Sequence, residues 1–220
     1  CPLAAGGLAL LLQSNPALGW RDVKEILIRS AVKNQAADPG WFNNAAGFHF
    51  NDKFGAGMLN VQAAVAMAAD WDNLGPVVVR SLTSPGPAAI PDNSTAGAVK
   101  TFVVPAANDI RVEQVAVSVQ ITHGHRGQLE VFLTAPSGTV SRLARPRPDF
   151  GVNLDWTFTT PQFWGESGQG TWTLEVRDTA PGTPGILIAA SLSLYGTGSS
   201  PPITDADGDG FPADLESWFG

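Results

Sequence analysis

The chain has 220 residues, of which 44% are hydrophobic, 24 are glycine and 17 are proline, and this composition favours a loop-rich β protein over a helical bundle. Its net charge is -7, and the last twenty residues hold five acidic residues and no lysine or arginine, so the near-neutral remainder offers no basic surface for nucleic acid. The single cysteine, Cys1, excludes an internal disulfide but does not decide the compartment.

The first predicted element covers residues 2–13, which are almost wholly apolar. The segment is too short to span a bilayer, which takes about 20 apolar residues. It also lacks the basic region and cleavage site of a signal peptide. We therefore expect no membrane span and interpret the segment as a helix buried on all sides of a larger domain. A start inside such a helix suggests that the chain is a piece of a longer protein.

Two further helices are predicted before residue 76. The first covers residues 20–31. Its apolar face holds Val23, Ile26, Leu27 and Ala31, and its outer face holds Arg21, Lys24, Glu25 and Arg29. Asn60 is a suitable N-cap for the second helix, and the Gly- and Asn-rich residues 43–59 fit a loop or short hairpin. Because these helices do not close a core, residues 1–76 are predicted to be the end of a larger domain.

From residue 77 to residue 197 the apolar period changes to two. Alternating segments lie at 115–121, 129–134, 156–158, 172–176 and 188–194. Short strands separated by Gly- and Pro-rich turns predict an antiparallel β-sandwich. We expect Trp156, Trp164 and Trp172 to pack in its core and between its sheets. Residues 198–204 are predicted to be a linker.

These segments resemble a known family. The sequences PLAAG, WRD, GAGML and AAVAMAADW resemble the end of a subtilisin-like catalytic domain of the kexin and furin type. Residues 77–197 resemble the P domain (homo B domain) of those proteases. The motifs that carry this second resemblance are ITH with RG, LEVFLTAPSGT, DWTF, WGESGQGTWTLEVRD and LSLYGT. The resemblance implies a mostly β chain, in which a jelly-roll-like antiparallel sandwich follows the helical C-terminal remnant of an α/β subtilisin-like domain.

The resemblance also implies where the chemistry lies. The family nucleophile stands in a Gly-Thr-Ser-x-x-x-Pro stretch, and if Pro2 is that proline, the serine lies three residues ahead of Cys1. We therefore expect no catalytic residue in this chain. The parent protein would be a secreted, calcium-dependent serine endopeptidase acting on polypeptides, with the P domain stabilising its own catalytic domain. The alternative for residues 2–13 is a generic buried helix that does not follow a catalytic serine.

Several further residues have interpretations of their own. A structural role is expected for His49, and a turn for His123 and His125, because no nucleophile–base pair is evident. Gln128 stands where the family often has an acidic residue, which puts any site that uses that acid in doubt. The arginine-rich stretch predicts a solvated loop or an acidic contact on the catalytic domain. Its members are Arg142, Arg145 and Arg147.

The acidic C-terminal segment carries a separate motif. DADGDGFPADLE, residues 205–216, matches the calcium-loop pattern D-x-[DN]-x-[DN]-G-x5-E. The predicted Ca²⁺ ligands are the side chains of Asp205, Asp207, Asp209 and Glu216 and the carbonyl of Phe211. Residues 205–220 are thus predicted to begin an EF-hand-like or thrombospondin type 3-like calcium-binding extension. The alternatives are a solvated acidic tail and, for the whole chain, a non-catalytic extracellular adhesion module.

Overall fold

The computed structural model describes residues 2–198. Its first part contains α1 (Pro2–Ser14), α2 (Trp20–Ser30), an antiparallel hairpin of β1 (Phe42–Asn43) and β2 (His49–Phe50), and α3 (Val61–Ala69). The three predicted helices and the hairpin are therefore confirmed. The acidic segment with its predicted calcium ligands lies outside the described residues.

The helices share a small core to which α1 contributes one face. The buried apolar residues of this core are Leu11, Leu18, Ile26, Ala64 and Ala68. Leu11 is the only buried residue of α1 within residues 2–198, and Leu3, for example, is 86% exposed. The described part of the chain thus covers one side of a helix whose composition is typical of burial on all sides.

The start of α3 is fixed by its cap and by the turn before it. Asn60 accepts a hydrogen bond at its side-chain oxygen from the Ala63 N–H at 3.1 Å, as predicted for an N-cap. Just upstream, Met58 exchanges two backbone hydrogen bonds with Val32. Gly57 has a φ of +117°, and a Cβ there would lie 2.4 Å from the Val32 carbonyl oxygen. Only glycine fits this close approach of two backbones.

The second part of the chain is an antiparallel sandwich of nine strands. Their bounds are β3 (Val77–Ser84), β4 (Ala88–Ile90), β5 (Ala98–Val104), β6 (Ile110–Thr122), β7 (Leu129–Thr134), β8 (Val140–Ala144), β9 (Leu154–Thr160), β10 (Gly170–Asp178) and β11 (Gly185–Gly198). One sheet has the order β5-β10-β7-β8. The other has the order β3-β11-β6-β9, with β4 also paired to β11. The prediction of a mostly β chain with helices in front of a sandwich is confirmed.

The sandwich core confirms one of the three tryptophan predictions. Trp172 is fully buried, donates its indole N–H to the Gly168 carbonyl at 2.8 Å and meets Phe163 edge-to-face at 4.9 Å. Trp164 is buried, but beneath α2 rather than between the sheets. The prediction for Trp156 was wrong, because its indole is 59% exposed. Its strand, β9, ends a sheet, so no neighbouring strand covers the ring.

A β-bulge interrupts the pairing of β6 with β11. Tyr195 lies opposite Gln114 and Gly196 lies opposite Val112, so Glu113 is an extra residue in its strand. A Cβ on Gly196 would lie 1.9 Å from the Arg111 carbonyl oxygen, and glycine is therefore required there. The bulge groups Arg111, Glu113 and Gln114 at the end of β6 that faces α2.

Candidate interface between the helices and the sandwich

Arg21 of α2 reaches across to the bulged residue of β6. Its Nε lies 2.7 Å from Glu113 Oε2, and its Nη2 lies 2.5 Å from Glu113 Oε1, which makes the pair bidentate. Both side chains are nearly buried. The hydrogen bonds that Arg21 donates to Glu113 raise the pKa of Arg21 above its ordinary value, against the opposing effect of burial.

Glu25, one turn further along α2, forms a second bidentate ion pair. Here the acidic residue lies on α2 and the basic residue, Arg111, lies on β6, the reverse of the first pair. Arg111 Nη1 and Nη2 donate to its carboxylate oxygens at 2.9 and 2.6 Å, and Arg29 Nε donates at 2.8 Å. Burial alone would raise the pKa of Glu25, but the hydrogen bonds from Arg111 and Arg29 lower it overall. The prediction that Arg21 and Glu25 lie on an outer face was wrong, because the sandwich covers that face and leaves their side chains 11% and 1% exposed.

Lys24 lies between these two ion pairs. Its Nζ donates to Gln114 Oε1 and lies 5.1 Å from the centre of the Trp164 ring. Burial lowers the pKa of Lys24. The sequence did not identify the partner residues on β6, although Glu113 does break the apolar alternation of that strand.

The β1–β2 hairpin makes a second polar contact with the sandwich. Asn44 donates through its side-chain amide to the Gln162 and Trp164 carbonyls at 3.0 and 2.9 Å. The Ala45 N–H donates to Glu166 Oε1 at 2.9 Å. Glu166 is buried and also accepts from the hydroxyls of Ser137 and Thr139. The hairpin tip is therefore hydrogen-bonded to the sandwich through Gln162, Trp164 and Glu166.

The arginine-rich stretch divides between the two interpretations given to it. Arg145 pairs with Asp52, in the loop after β2, so an acidic residue of the helical part does contact it. Arg147 lies in a loop and pairs with Asp149 within the sandwich. Arg142 pairs with Glu130, but it lies in β8, so the loop prediction was wrong for this residue.

The three histidines make different contacts within the described residues. Within residues 2–198, no hydroxyl group hydrogen-bonds to any of them. His49 packs edge-on against Trp41, and burial followed by the charge of Lys33 lowers its pKa. His123 is buried, accepts from the His125 N–H at Nδ1 and places Nε2 3.1 Å from Asp178 Oδ2 without hydrogen-bond alignment.

The described residues contain neither a metal cluster nor a membrane-spanning helix. No group of three or more His, Cys, Asp or Glu side chains among them is placed to hold a metal ion. None of their helices is long and apolar enough to cross a membrane. The predicted calcium ligands Asp205, Asp207, Asp209, Phe211 and Glu216 lie beyond these residues.

Family models match two segments of the chain, one in the helical part and one in the sandwich. Residues 1–57 match the subtilase family, and residues 112–194 match the proprotein convertase P-domain. The first match contains α2 with Arg21 and Glu25, and the second contains Glu113. The Arg21–Glu113 ion pair therefore joins two segments that match different families, whereas Arg111, the partner of Glu25, lies one residue before the second match.

Similar proteins support both matches. Proprotein convertase subtilisin/kexin type 7 of Homo sapiens is 38% identical over 212 residues, which are 89% of this chain and 26% of that protein. Endoprotease aex-5 of Caenorhabditis elegans is 36% identical over 176 residues, 79% of this chain and 30% of that protein. The crystal structure of a serine protease of Aeromonas sobria has a TM-score of 0.78 at 27% identity, covering 89% of this chain and 43% of that one.

The chain spans less than a third of the length of these two relatives, so the comparisons describe this part of such proteins and not the whole. The helices agree with the subtilase match, and the sandwich agrees with the P-domain match. The chain therefore joins the C-terminal end of a subtilase catalytic domain to a proprotein convertase P domain.

Proposed function

We propose that this chain is the C-terminal part of a secreted, calcium-dependent subtilisin-like serine endopeptidase, in which the P domain stabilises the catalytic domain. The parent protein hydrolyses peptide bonds in polypeptides through a serine that lies upstream of residue 1. The observation that carries the proposal is the pair of bidentate contacts Arg21–Glu113 and Glu25–Arg111. They fix the position of a catalytic-domain helix with groups that belong to the sandwich.

Burial makes these contacts important for stability. Glu25 and Glu113 are both nearly inaccessible to water, and a carboxylate in such a place is tolerated only when it is paired and hydrogen-bonded. When the sandwich is separated from α2, the carboxylates of Glu25 and Glu113 lose these hydrogen bonds and must be solvated by water or paired with another residue. The helix therefore retains its position most readily while the sandwich is attached.

The test measures the activity of the parent protease. We expect Glu113→Gln to shorten the half-life of peptide hydrolysis at raised temperature, because Arg21 then loses its charged partner. Glu175→Gln, which alters a more exposed pair with Arg177, is the matched control and should leave the half-life nearly unchanged. An unchanged half-life in the Glu113 variant would contradict the stabilising role.

The calcium dependence has a separate support in residues 205–216. Three aspartates and a glutamate at calcium-loop spacing supply oxygen ligands for a hard cation, and extracellular modules of this kind bind at ~10⁻⁴–10⁻³ M. Glu216→Ala removes two ligand oxygens and should weaken Ca²⁺ binding more than Asp214→Ala, whose side chain has no place in the shell. Calorimetric titration of the whole chain compares them. If the two variants lose the same Ca²⁺ affinity, or if millimolar Ca²⁺ gives no heat of binding, the segment is a solvated acidic tail.

A further inference from the structure

A groove runs along the open side of the sandwich, between β8 of one sheet and β9 of the other. Its volume is about 670 Å³. Its floor includes Leu143 of β8 and Trp156 and Phe158 of β9, and four arginine side chains lie around it. None of these residues takes part in the α2–β6 ion pairs, so a binding role for the groove is independent of the proposed protease function.

The strand that borders the groove has a free edge. β9 pairs with β6 and with no other strand in the described part of the chain. Its seven residues, LDWTFTT, include neither proline nor lysine, which proteins commonly use to protect exposed edges. The unpaired backbone groups of β9 are therefore available to an extended chain.

Trp156 is the exposed apolar contact beside this edge. It lies opposite Val119 of β6, which is buried, so the indole is directed to the interior face of the sheet. It nevertheless remains 59% exposed, because no strand of residues 2–198 pairs with the outer edge of β9. An exposed tryptophan beside a free strand edge offers a large apolar contact to a bound chain.

The arginines around the groove retain unused hydrogen-bond donors. Arg126 and Arg147 share one carboxylate, that of Asp149, at 2.8 and 3.1 Å, and the hydrogen bond from Arg126 is the largest cause of the lowered pKa of Asp149. Each guanidinium carries five N–H groups, so most of those on Arg126 and Arg147 remain free for a second carboxylate. Of the four groove arginines, Arg142 and Arg145 are already paired with Glu130 and Asp52, so the spare donors are those of Arg126 and Arg147.

We propose that this groove binds an extended segment of another polypeptide, with carboxylate side chains flanking an apolar residue. The segment adds a strand to the free edge of β9, which supplies backbone hydrogen bonds. Its apolar residue packs on Trp156, and its carboxylates accept hydrogen bonds from Arg126 and Arg147. Backbone pairing supplies affinity, and the arginines select acidic segments over neutral ones.

The test uses the whole chain and a defined probe. The probe is a fluorescein-labelled nine-residue peptide of alternating glutamate and valine with a central leucine, and its control has glutamine in place of every glutamate. Fluorescence anisotropy should show saturable binding of the acidic peptide, weakened in 1 M NaCl, and about tenfold weaker binding of the control. Hydrogen exchange should show new protection of amides in β9, since strand addition pairs its free backbone groups.

Two pairs of variants separate the contributions. Trp156→Ser should weaken binding about tenfold, whereas Trp20→Ser, at an exposed tryptophan of α2, should leave it unchanged. The double change Arg126→Gln and Arg147→Gln should weaken binding about 3- to 10-fold, whereas Arg80→Gln on β3 should have no effect. Equal affinity for the two peptides, no effect of Trp156→Ser, or unprotected β9 amides would each overturn the proposal.

Discussion

Glu25 is a buried carboxylate whose charge is balanced by Arg111 on the sandwich and by Arg29 on its own helix. Removing one member of a buried ion pair leaves the other charge without compensation. We expect Glu25→Gln to lower the free energy of unfolding of the chain by about 2–3 kcal/mol, below the usual range because Arg111 is still partly solvated. Urea unfolding measures this loss, and Glu175→Gln should cost less than about 1 kcal/mol. Similar costs for the two variants would contradict the assignment.

The same carboxylate predicts a dependence of stability on pH. The pKa of Glu25 is lowered in the folded chain, so its contribution is fully present above the unfolded pKa near 4.5 and is lost as the pH falls through the folded pKa. The difference in unfolding free energy between the natural chain and Glu25→Gln should therefore shrink between about pH 6 and pH 3. Other groups with a lowered pKa, such as Asp38 at about 2, are common to both proteins. A difference that is constant over this range would contradict the role of Glu25.

At the scale of the element, α3 depends on its cap. Asn60→Ala removes the acceptor for the Ala63 N–H and should cost about 1 kcal/mol of stability. Asn60→Asp keeps an oxygen at that position and should restore most of this loss. Thermal unfolding compares the three proteins. If Asp and Ala destabilise equally, the side-chain oxygen is not the stabilising group.

The periodicity of the sequence was sufficient to predict α2, α3 and the strands β6, β7, β9, β10 and β11, because apolar residues recur along one face of each. It did not identify β3, β4, β5 or β8. It did not predict the bulge at Glu113, since the extra residue changes the phase of β6 through pairing with Gly196 of a distant strand. It also failed for Glu25 and Trp156. A charged position on an amphipathic helix does not indicate what will cover it, and a strand pattern does not indicate whether the strand lies at an edge.

At the scale of the whole molecule, the two parts differ in how well they close a core. The large buried cluster of the sandwich lies wholly between Ile90 and Leu194, whereas the helical cluster contains five buried residues. We therefore expect residues 77–197 to fold alone, with slow hydrogen exchange in β6, β10 and β11. Residues 1–76 should exchange rapidly when expressed alone. Slow exchange in isolated 1–76 would contradict this expectation.

The opposite polarity of the two ion pairs limits how P domains can be exchanged between proteases. This sandwich presents an arginine at 111 and a glutamate at 113, so a recipient helix must offer a base and then an acid four residues later, as at Arg21 and Glu25. A recipient with the reverse order would face two like-charge contacts in a nearly water-free position. Compatibility in a domain-swapped protease can therefore be judged from two positions of one helix before the hybrid is made.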